Sequence, residues 1–534
     1  MNENFNRRDF LRTVGLGAAA FAFPGCTGFS GRATSRSKLP NIIYILADDM
    51  GYGDLTCLNK ASKIPTANMD RIAAEGIYFA DAHSPSAVCT PTRYGILTGR
   101  YCWRTHLKNG VLWGYSPALI EPQRLTVASL LKKHGYRTAC VGKWHLGLDL
   151  ATTDGKKPSS RKEQADPVRS KSPSVVTVPS VQTSNGAEAQ NIDFAKPFKG
   201  GPNELGFDYF FGIPASLDMI PHLYIENDRA VEIPTLEIEK SSWPVFYRPG
   251  PIAPGFKHIE VLPTITKKAV QFIEEHTKQS PENPFFLYFP LTAPHQPWVP
   301  VDFVKGRSRA GVYGDFVFQV DWTIGQVLDT LDRLKLTDNT LIIVTSDNGS
   351  HWKKDFIKEY SHLANYHFRG MKADIWDGGH RIPFIARWPG KIKPGTSSDE
   401  TICLSDLMAT CAAIVGQELS DNAGEDSYNI LPVLLGKKLD KPIREATVHH
   451  SSRGMFSVRQ GKWKLILGRG SGGFSKPRHI EPKPGEPKGQ LYNLQEDIAE
   501  EHNLWIGRPD VVRRLTELLE KYKKRGHSRE PKKK

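Results

Sequence analysis

Cysteine is scarce in this chain. Seven residues, Cys26, Cys57, Cys89, Cys102, Cys140, Cys403 and Cys411, are spread over 534 positions. So thin a scatter excludes a disulfide scaffold. No two form a C-x-x-C pair, which argues against a thiolate zinc site. Cys403 and Cys411 are expected on one helix, where eight residues rise roughly 12 Å, too far for a bridge. Long apolar runs are also missing: none reaches membrane-spanning length. Internal repeats are absent, and like charge forms a run only at Lys532-Lys533-Lys534. With 39% hydrophobic and 24% charged residues the chain is neither disordered nor fibrous. Its length allows one large domain and a smaller one. What it carries in excess is positive charge, +14 at neutral pH. That charge attracts polyanions such as nucleic acid, anionic lipid and sulfated glycans. Its dispersal along the chain equally serves solubility.

The N-terminus reads as an export signal. Arg7-Arg8 precede Asp9-Phe10-Leu11-Arg12, and a short apolar, Gly/Ala-rich stretch covers 14–23. The pattern resembles a twin-arginine signal and is too short for a permanent membrane helix. Phe23-Pro24-Gly25-Cys26 loosely matches a lipoprotein cleavage box, which makes Cys26 a candidate lipid anchor. The expected location is exported: periplasmic, membrane-anchored as a lipoprotein, or secreted.

Several apolar, β-rich runs stop abruptly at polar residues. Asn41-Ile42-Ile43-Tyr44-Ile45-Leu46-Ala47 ends in Asp48-Asp49, and Leu341-Ile342-Ile343-Val344-Thr345 in Ser346-Asp347-Asn348-Gly349. Pro284-Phe285-Phe286-Leu287-Tyr288-Phe289 leads to Ala293-Pro294-His295, and Arg137-Thr138-Ala139-Cys140-Val141 to Gly142-Lys143-Trp144-His145. Continuous apolar runs suit strands buried on both faces of a parallel sheet. Helical patterns over 67–75, 127–134, 265–276 and 316–334 lie between them. The alternation predicts an α/β fold with a large doubly wound, mostly parallel sheet flanked by helices. Ligands bind beyond the carboxyl ends of such strands, so all four polar clusters are expected on one edge. Residues 151–200, rich in Ser, Pro and Lys, read as a surface insertion. From about 441 the pattern changes. Two short strands flank Gln460-Gly461 as a hairpin, Gly489-Gln490-Leu491-Tyr492-Asn493-Leu494 reads as a third, and 511–524 as a closing helix. The expected organisation is 1–37 signal and linker, 38–440 catalytic domain, and 441–534 a smaller C-terminal antiparallel sheet plus helix.

Cys89-Thr90-Pro91-Thr92-Arg93 is the segment that carries chemistry. Cys89 stands just before an expected helix with Pro91 in its first turn. A helix N-terminus favours anions and lowers a nucleophile's pKa, and Arg93 falls about one turn on. The string continues to Leu97-Thr98-Gly99-Arg100, and C-x-P-x-R-x-x-x-L-T-G-R resembles the sulfatase signature. Gly142-Lys143-Trp144-His145-Leu146-Gly147 resembles that family's second signature. The resemblance spans Asn41 to the C-terminal region. It implies that Cys89 is oxidised to formylglycine by a maturation enzyme before folding. Asp48, Asp49, Asp347 and Asn348 are hard oxygen ligands suited to Ca²⁺, less to Mg²⁺, and not to zinc. The resemblance places these four around one Ca²⁺ with the oxygen of the modified Cys89. It further implies that Arg93, Lys143 and Lys372 bind sulfate, that His145 accepts a proton, and that His295 protonates the leaving alcohol. His351, His362 and His367 read as ordinary loop histidines. Trp113, Trp298 and Arg104 are either sugar contacts or core and rim residues.

The expected activity is hydrolysis of sulfate monoesters on sulfated polysaccharides or their oligosaccharides. Twin-arginine export of a matured, folded chain fits that chemistry, and no nucleic-acid partner is expected. The competing enzyme is a formylglycine-dependent phosphonate or phosphate monoesterase. Two-zinc phosphatases of this fold need an Asp-His pair where this chain has Asp347-Asn348. A catalytically dead glycan-binding protein is the third reading, and the filled catalytic positions argue against it.

Overall fold

The fold follows from the apolar runs. In a computed structural model, which describes residues 39–155 and 191–530, they form the middle of one sheet. The export signal with Cys26, the core of the 151–200 insertion and the terminal lysine run lie outside the described residues. Every residue of Asn41–Asp48, Phe285–Pro294 and Thr340–Ser346 is buried. Strands so enclosed have no solvent face, which is why their sequences do not alternate.

Among the described residues the main sheet has ten strands. Their order is Thr396–Ser398, Ile77–Phe79, Phe384–Arg387, Thr340–Ser346, Asn41–Asp48, Phe285–Pro294, Arg137–Lys143, Tyr209–Ile213, Ile225–Glu226 and Arg229–Ala230. The five from Thr340–Ser346 to Tyr209–Ile213 run parallel. In register, Ile43 lies between Leu287 and Ile342. All five therefore end on one edge. Gly142 (φ 130°) permits a close approach there, since a Cβ on it would meet the Pro290 carbonyl oxygen at 1.9 Å. The long helices Val261–Gln279 and Gly311–Arg333 pack on each other and on Phe285–Pro294. The first extends beyond the expected 265–276 at both ends, and the second begins earlier than the expected 316 and ends at Arg333.

A second, antiparallel sheet joins Thr447–His450, Phe456–Gln460, Trp463–Ile466 and Gln490–Asn493. Gly461 (φ 55°) supplies the left-handed turn of the hairpin. The last helix, Pro509–Arg525, starts on proline and stops at Gly526 (φ 80°). Its buried stripe of Val511, Leu515, Leu518, Leu519 and Tyr522 packs with Val448, Val458, Leu465 and Leu491.

Two expectations are corrected or bounded. Cys403 and Cys411 do not share a helix: Cys403 ends the strand Ile402–Cys403, and Cys411 lies in Leu407–Ile414. Asp406 separates them by accepting the Cys403 N–H at 2.9 Å, which closes a turn. Both remain free thiols. At the base of the insertion, the bridges Asp149↔Lys199 and Thr152↔Ile192 pair the outgoing and returning chain.

Candidate active site

Each parallel strand delivers a charged or polar side chain just past its last apolar residue. Asn41–Asp48 supplies Asp48 and Asp49, Thr340–Ser346 supplies Asp347 and Asn348, Arg137–Lys143 supplies Lys143 and His145, and Phe285–Pro294 supplies His295. Cys89 is the first residue of the helix Cys89–Thr98, which is buried throughout, and Arg93 follows one turn later. Lys372 arrives on a loop tied down by its own N–H to the Ser350 carbonyl (3.1 Å) and by the Ala373 N–H to Ala87 (2.7 Å). The structure thus brings all ten sequence-predicted site residues together.

Ion pairs organise them. Lys143 Nζ donates to Asp48 Oδ2 at 2.7 Å, and Lys372 Nζ to Asp49 Oδ2 at 2.8 Å. Arg93 donates to Asp347 Oδ2 through Nε (3.1 Å) and Nη2 (2.7 Å), and to the Lys143 carbonyl through Nη1 (3.0 Å). Asn348 Nδ2 donates to Asp49 Oδ1 at 2.7 Å. Burial opposes ionisation of Asp48, but Lys143, His295 and Arg93 more than offset it and hold its carboxyl below the usual range. Asp347 moves the other way, raised by burial and by the Asp48 carboxylate beside it.

Two buried oxygens, Asp48 Oδ1 and Asn348 Oδ1, have no hydrogen-bond partner. Both belong to the four-residue oxygen set, which suits a hard divalent cation at 2.3–2.6 Å when the ion is calcium. One ring nitrogen of His295 also lies within 4.8 Å of oxygens of Asp48 and Asp49. The residues therefore fit a metal.

Cys89 departs from expectation. Burial pushes its thiol up, against the pull of Lys143 and Lys372, so the helix N-terminus does not produce a thiolate. An unmodified thiol there is a weak nucleophile.

The two histidines are set up differently. His145 Nε2 donates to the Leu112 carbonyl at 2.8 Å, which leaves Nδ1 bare and without a partner. Burial, then Lys143 and Arg93, push its pKa well below the ordinary value, so it is a neutral acceptor. His295 Nδ1 hydrogen-bonds the Gln296 carbonyl, and Ser216 Oγ lies 3.3 Å from the same nitrogen. Asp218 is 4.0 Å from Nδ1, and Asp49 is 3.7 Å from Nε2. The ring lies between these two carboxylates.

Sequence reasoning missed Ser216, Asp218 and the Leu112 carbonyl. Ser216 also accepts from Lys143 Nζ at 3.2 Å, and Asp218 is paired with Arg248, whose guanidinium stacks on Trp113 at 4.6 Å. A signal existed for two of them: they follow the fifth parallel strand, Tyr209–Ile213. Of the loop histidines, His362 bonds Asp54 at 2.8 Å and is structural, while His367 is exposed. His351 lies near the site, pushed to about 4 by burial and by Lys372. Arg104 is bound to Asp426 and the Tyr522 carbonyl, and Trp298 packs among Trp243, Tyr313 and Trp352, so neither is free for a ligand.

The His145 geometry makes a prediction. The folded protein holds it neutral, whereas the unfolded chain takes up a proton at about pH 6.5. Its ring-proton NMR signal should stay fixed between about pH 5 and 8. It should contribute to a loss of stability as pH falls below roughly 6.5. A titration midpoint near 6.5 in the folded protein would show that the bare Nδ1 is not shielded.

Comparison with known proteins agrees with this arrangement. The family profile described as Sulfatase matches residues 40–417. An N-acetylgalactosamine-6-O-sulfatase of Bacteroides thetaiotaomicron is 34% identical over 528 residues, covering 92% of this chain and 94% of its own. Human steryl-sulfatase is 30% identical over 457 residues, covering 79% and 73%. A solved structure from work on glycosaminoglycan metabolism by Bacteroides thetaiotaomicron superposes with TM-score 0.74 at 33% identity, covering 91% of this chain and 100% of that one. The matched span contains both signatures and every residue of the ion-paired site, and the chain belongs to the sulfatase family of sulfuric ester hydrolases, whose members are generally formylglycine- and metal-dependent.

Proposed function

We propose that the protein is an exported, calcium-dependent sulfatase that releases sulfate from sulfated polysaccharides or their oligosaccharides, with Cys89 converted to formylglycine at the reacting position. The observation that carries this reading is the convergence of Arg93, Lys143 and Lys372 with four oxygen donors around Cys89. Asp48, Asp49 and Asp347 offset those three cations, so the side chains alone give little net attraction for a sulfate ester. A divalent ion on Asp48, Asp49, Asp347 and Asn348 supplies the missing positive charge. Hard oxygen donors select calcium, with magnesium second.

A calcium ion there, with the hydrated aldehyde of residue 89, would supply a hydroxyl acidic enough to lose its proton and serve as the nucleophile. The chain's own residues do the rest. Arg93, held as a fork by Asp347, and the ammonium groups of Lys143 and Lys372 orient the sulfate oxygens and oppose their repulsion of a nucleophile. His295 presents Nε2 to the site and hands a proton to the departing alcohol, with Asp218 on the Nδ1 side of its ring and the Ser216 hydroxyl 3.3–3.4 Å from both ring nitrogens. His145 accepts a proton at its bare Nδ1 as sulfate leaves.

The name of the Bacteroides relative makes a 6-O-sulfated N-acetylgalactosamine unit the first substrate to test. The twin-arginine pattern at Arg7-Arg8 supports cytoplasmic maturation by a formylglycine-generating enzyme and folded export to the periplasm, with Cys26 as a lipid-anchor position.

Two experiments test the reading. Protein co-expressed with a formylglycine-generating enzyme is offered sulfated glycans, the galactosamine 6-sulfate unit among them, beside phosphomonoesters. Sulfate release that vanishes in Cys89→Ala is expected. Phosphate release without sulfate release would replace the reading with a phosphoesterase. In the second, His295→Ala should lower kcat on a sugar sulfate by roughly 10²–10⁴. It should cost far less on a nitrophenyl sulfate, whose leaving group needs no proton. Equal losses on both would remove His295 from the general-acid role.

A further inference from the structure

Behind the strand that leads to Cys89, three histidines from distant parts of the chain meet in the interior. His83 ends the strand Ala82–His83, His380 ends the short helix Asp377–His380, and His449 lies in the strand Thr447–His450. All three are 0% exposed. One ring nitrogen of each lies within 4.8 Å of the other two. Mechanism makes no use of them.

We propose that His83, His380 and His449 form a zinc site that fastens the segment entering Cys89 to the C-terminal sheet.

The hydrogen bonds on the far side of each ring argue for it. A metal-bound imidazole donates its second N–H to a carboxylate or carbonyl, which fixes the ring. His83 Nε2 lies 2.9 Å from Asp81 Oδ1, with Arg459 Nη1, itself bonded to that carboxylate, 2.7 Å from the same nitrogen. His449 Nδ1 is 2.9 Å from the Ser84 carbonyl, and His380 Nε2 3.2 Å from the Ile375 carbonyl. That leaves His83 Nδ1, His380 Nδ1 and His449 Nε2 for a common ligand. The first two are 3.0 Å apart. Two nitrogens on a tetrahedral zinc lie roughly 3.4 Å apart, so this pair needs little movement. His449, stacked on His380 with centroids 4.0 Å and planes 7° apart, must rotate for its Nε2 to join them.

A metal-free arrangement competes. Lys464 Nζ, 3.1 Å from His380 Nε2, can donate to it, His380 Nδ1–H then donates to His83 Nδ1, and His83 Nε2–H to Asp81. That chain satisfies two rings and abandons the third. His449 Nε2 is buried with no hydrogen-bond partner, and an unmet buried polar atom costs about 1–3 kcal/mol. A metal uses all three nitrogens.

Ligand type selects the ion. Burial above all pushes the pKa of each ring down, so all three are neutral imidazoles. No cysteine or carboxylate atom joins the group among the described residues. The surrounding charges are Asp81, Asp377 and Glu500 against Arg381, Arg459 and Lys464. A hard ion held by electrostatics alone gains little in so balanced a setting, whereas zinc bonds strongly to imidazole and leaves a fourth position for solvent.

The location gives the site its role. Immediately after His83, the Ser84 N–H donates to the His380 carbonyl (2.8 Å) and the Ala87 N–H to the His450 carbonyl (3.1 Å). Cys89 follows two residues later. An ion on the three rings would hold this entry segment against both neighbours.

The test uses the full chain, stripped with a chelator and then titrated with zinc in saturating calcium, which keeps the active-site oxygens occupied. Uptake of about one zinc per chain is expected, with an absorption-edge spectrum showing imidazole nitrogen neighbours and a raised Tm. His449→Gln should lose the zinc and the Tm gain while keeping calcium uptake and sulfate release. Wild-type protein that takes up no zinc under these conditions would overturn the proposal and favour the lysine-to-histidine chain. So would zinc in an oxygen-rich shell, or zinc retained by His449→Gln. Should that variant not fold, the wild-type stoichiometry and spectrum decide alone.

Discussion

Three carboxylates and three cations share the edge of the sheet, and each set needs the other to be there. Asp48, Asp49 and Asp347 are at most 5% exposed at their side chains, as are Arg93 and Lys143, and Lys372 is nearly as covered. A lone charge in such a place is too costly to keep, and removing one partner of a buried pair costs about 3–5 kcal/mol. The pairs bind the ends of three strands, one helix N-terminus and one loop into a single unit. Backbone strain collects at the same spot. Asp49 (φ 68°), His145 (φ 56°) and Ala373 (φ 77°) adopt left-handed conformations that non-glycine residues rarely take. Such strain costs of order 1–3 kcal/mol per residue and persists only where the surroundings enforce it.

The enforcing surroundings reach well beyond the sheet. Asp374, two residues past Lys372, accepts from the N–H groups of Phe474 (2.7 Å) and Ser475 (3.0 Å). The Ser452 N–H donates to the Ala373 carbonyl at 3.0 Å. Lys464, on the small sheet, donates to Asp377 at 2.7 Å and pairs with Glu500 at 2.8 Å, while burial and Asp377 raise the Glu500 carboxyl to about 7. The C-terminal sheet is thus a clamp on the loop that carries Lys372. The histidine cluster sits in the same seam, between the entry to Cys89 and the strand Thr447–His450.

What could be read from the sequence follows from what leaves a local trace. The buried parallel strands were legible because a run such as Asn41–Ala47 has no polar face, and the edge they share because each run stops at an acid, a lysine or a histidine. Cys89–Arg93 with Leu97–Arg100 was legible as a string. The Leu112 carbonyl that fixes the His145 tautomer left no trace, since every residue has a carbonyl. Ser216 and Asp218 were missed because Tyr209–Ile213 is short and follows the polar insertion. The reading of Cys89 as a lowered-pKa group failed because burial outweighs a helix N-terminus. Cys403 and Cys411 were misplaced because a turn closed by Asp406 looks helical in sequence. The three clustered histidines lie on separate segments, and only the fold brings them together.

The account rests on the claim that the strand-end oxygens hold a divalent ion which completes the charge balance for a sulfate ester. Calorimetric titration of calcium into chelator-stripped protein tests this most directly, with Asp48→Asn as the partner because it keeps the shape and removes one charge. Saturable binding of about one calcium per chain in the wild type, weakened at least roughly tenfold in a folded Asp48→Asn, is the predicted result. Absence of calcium binding in the wild type, or equal affinity in both proteins, would contradict it.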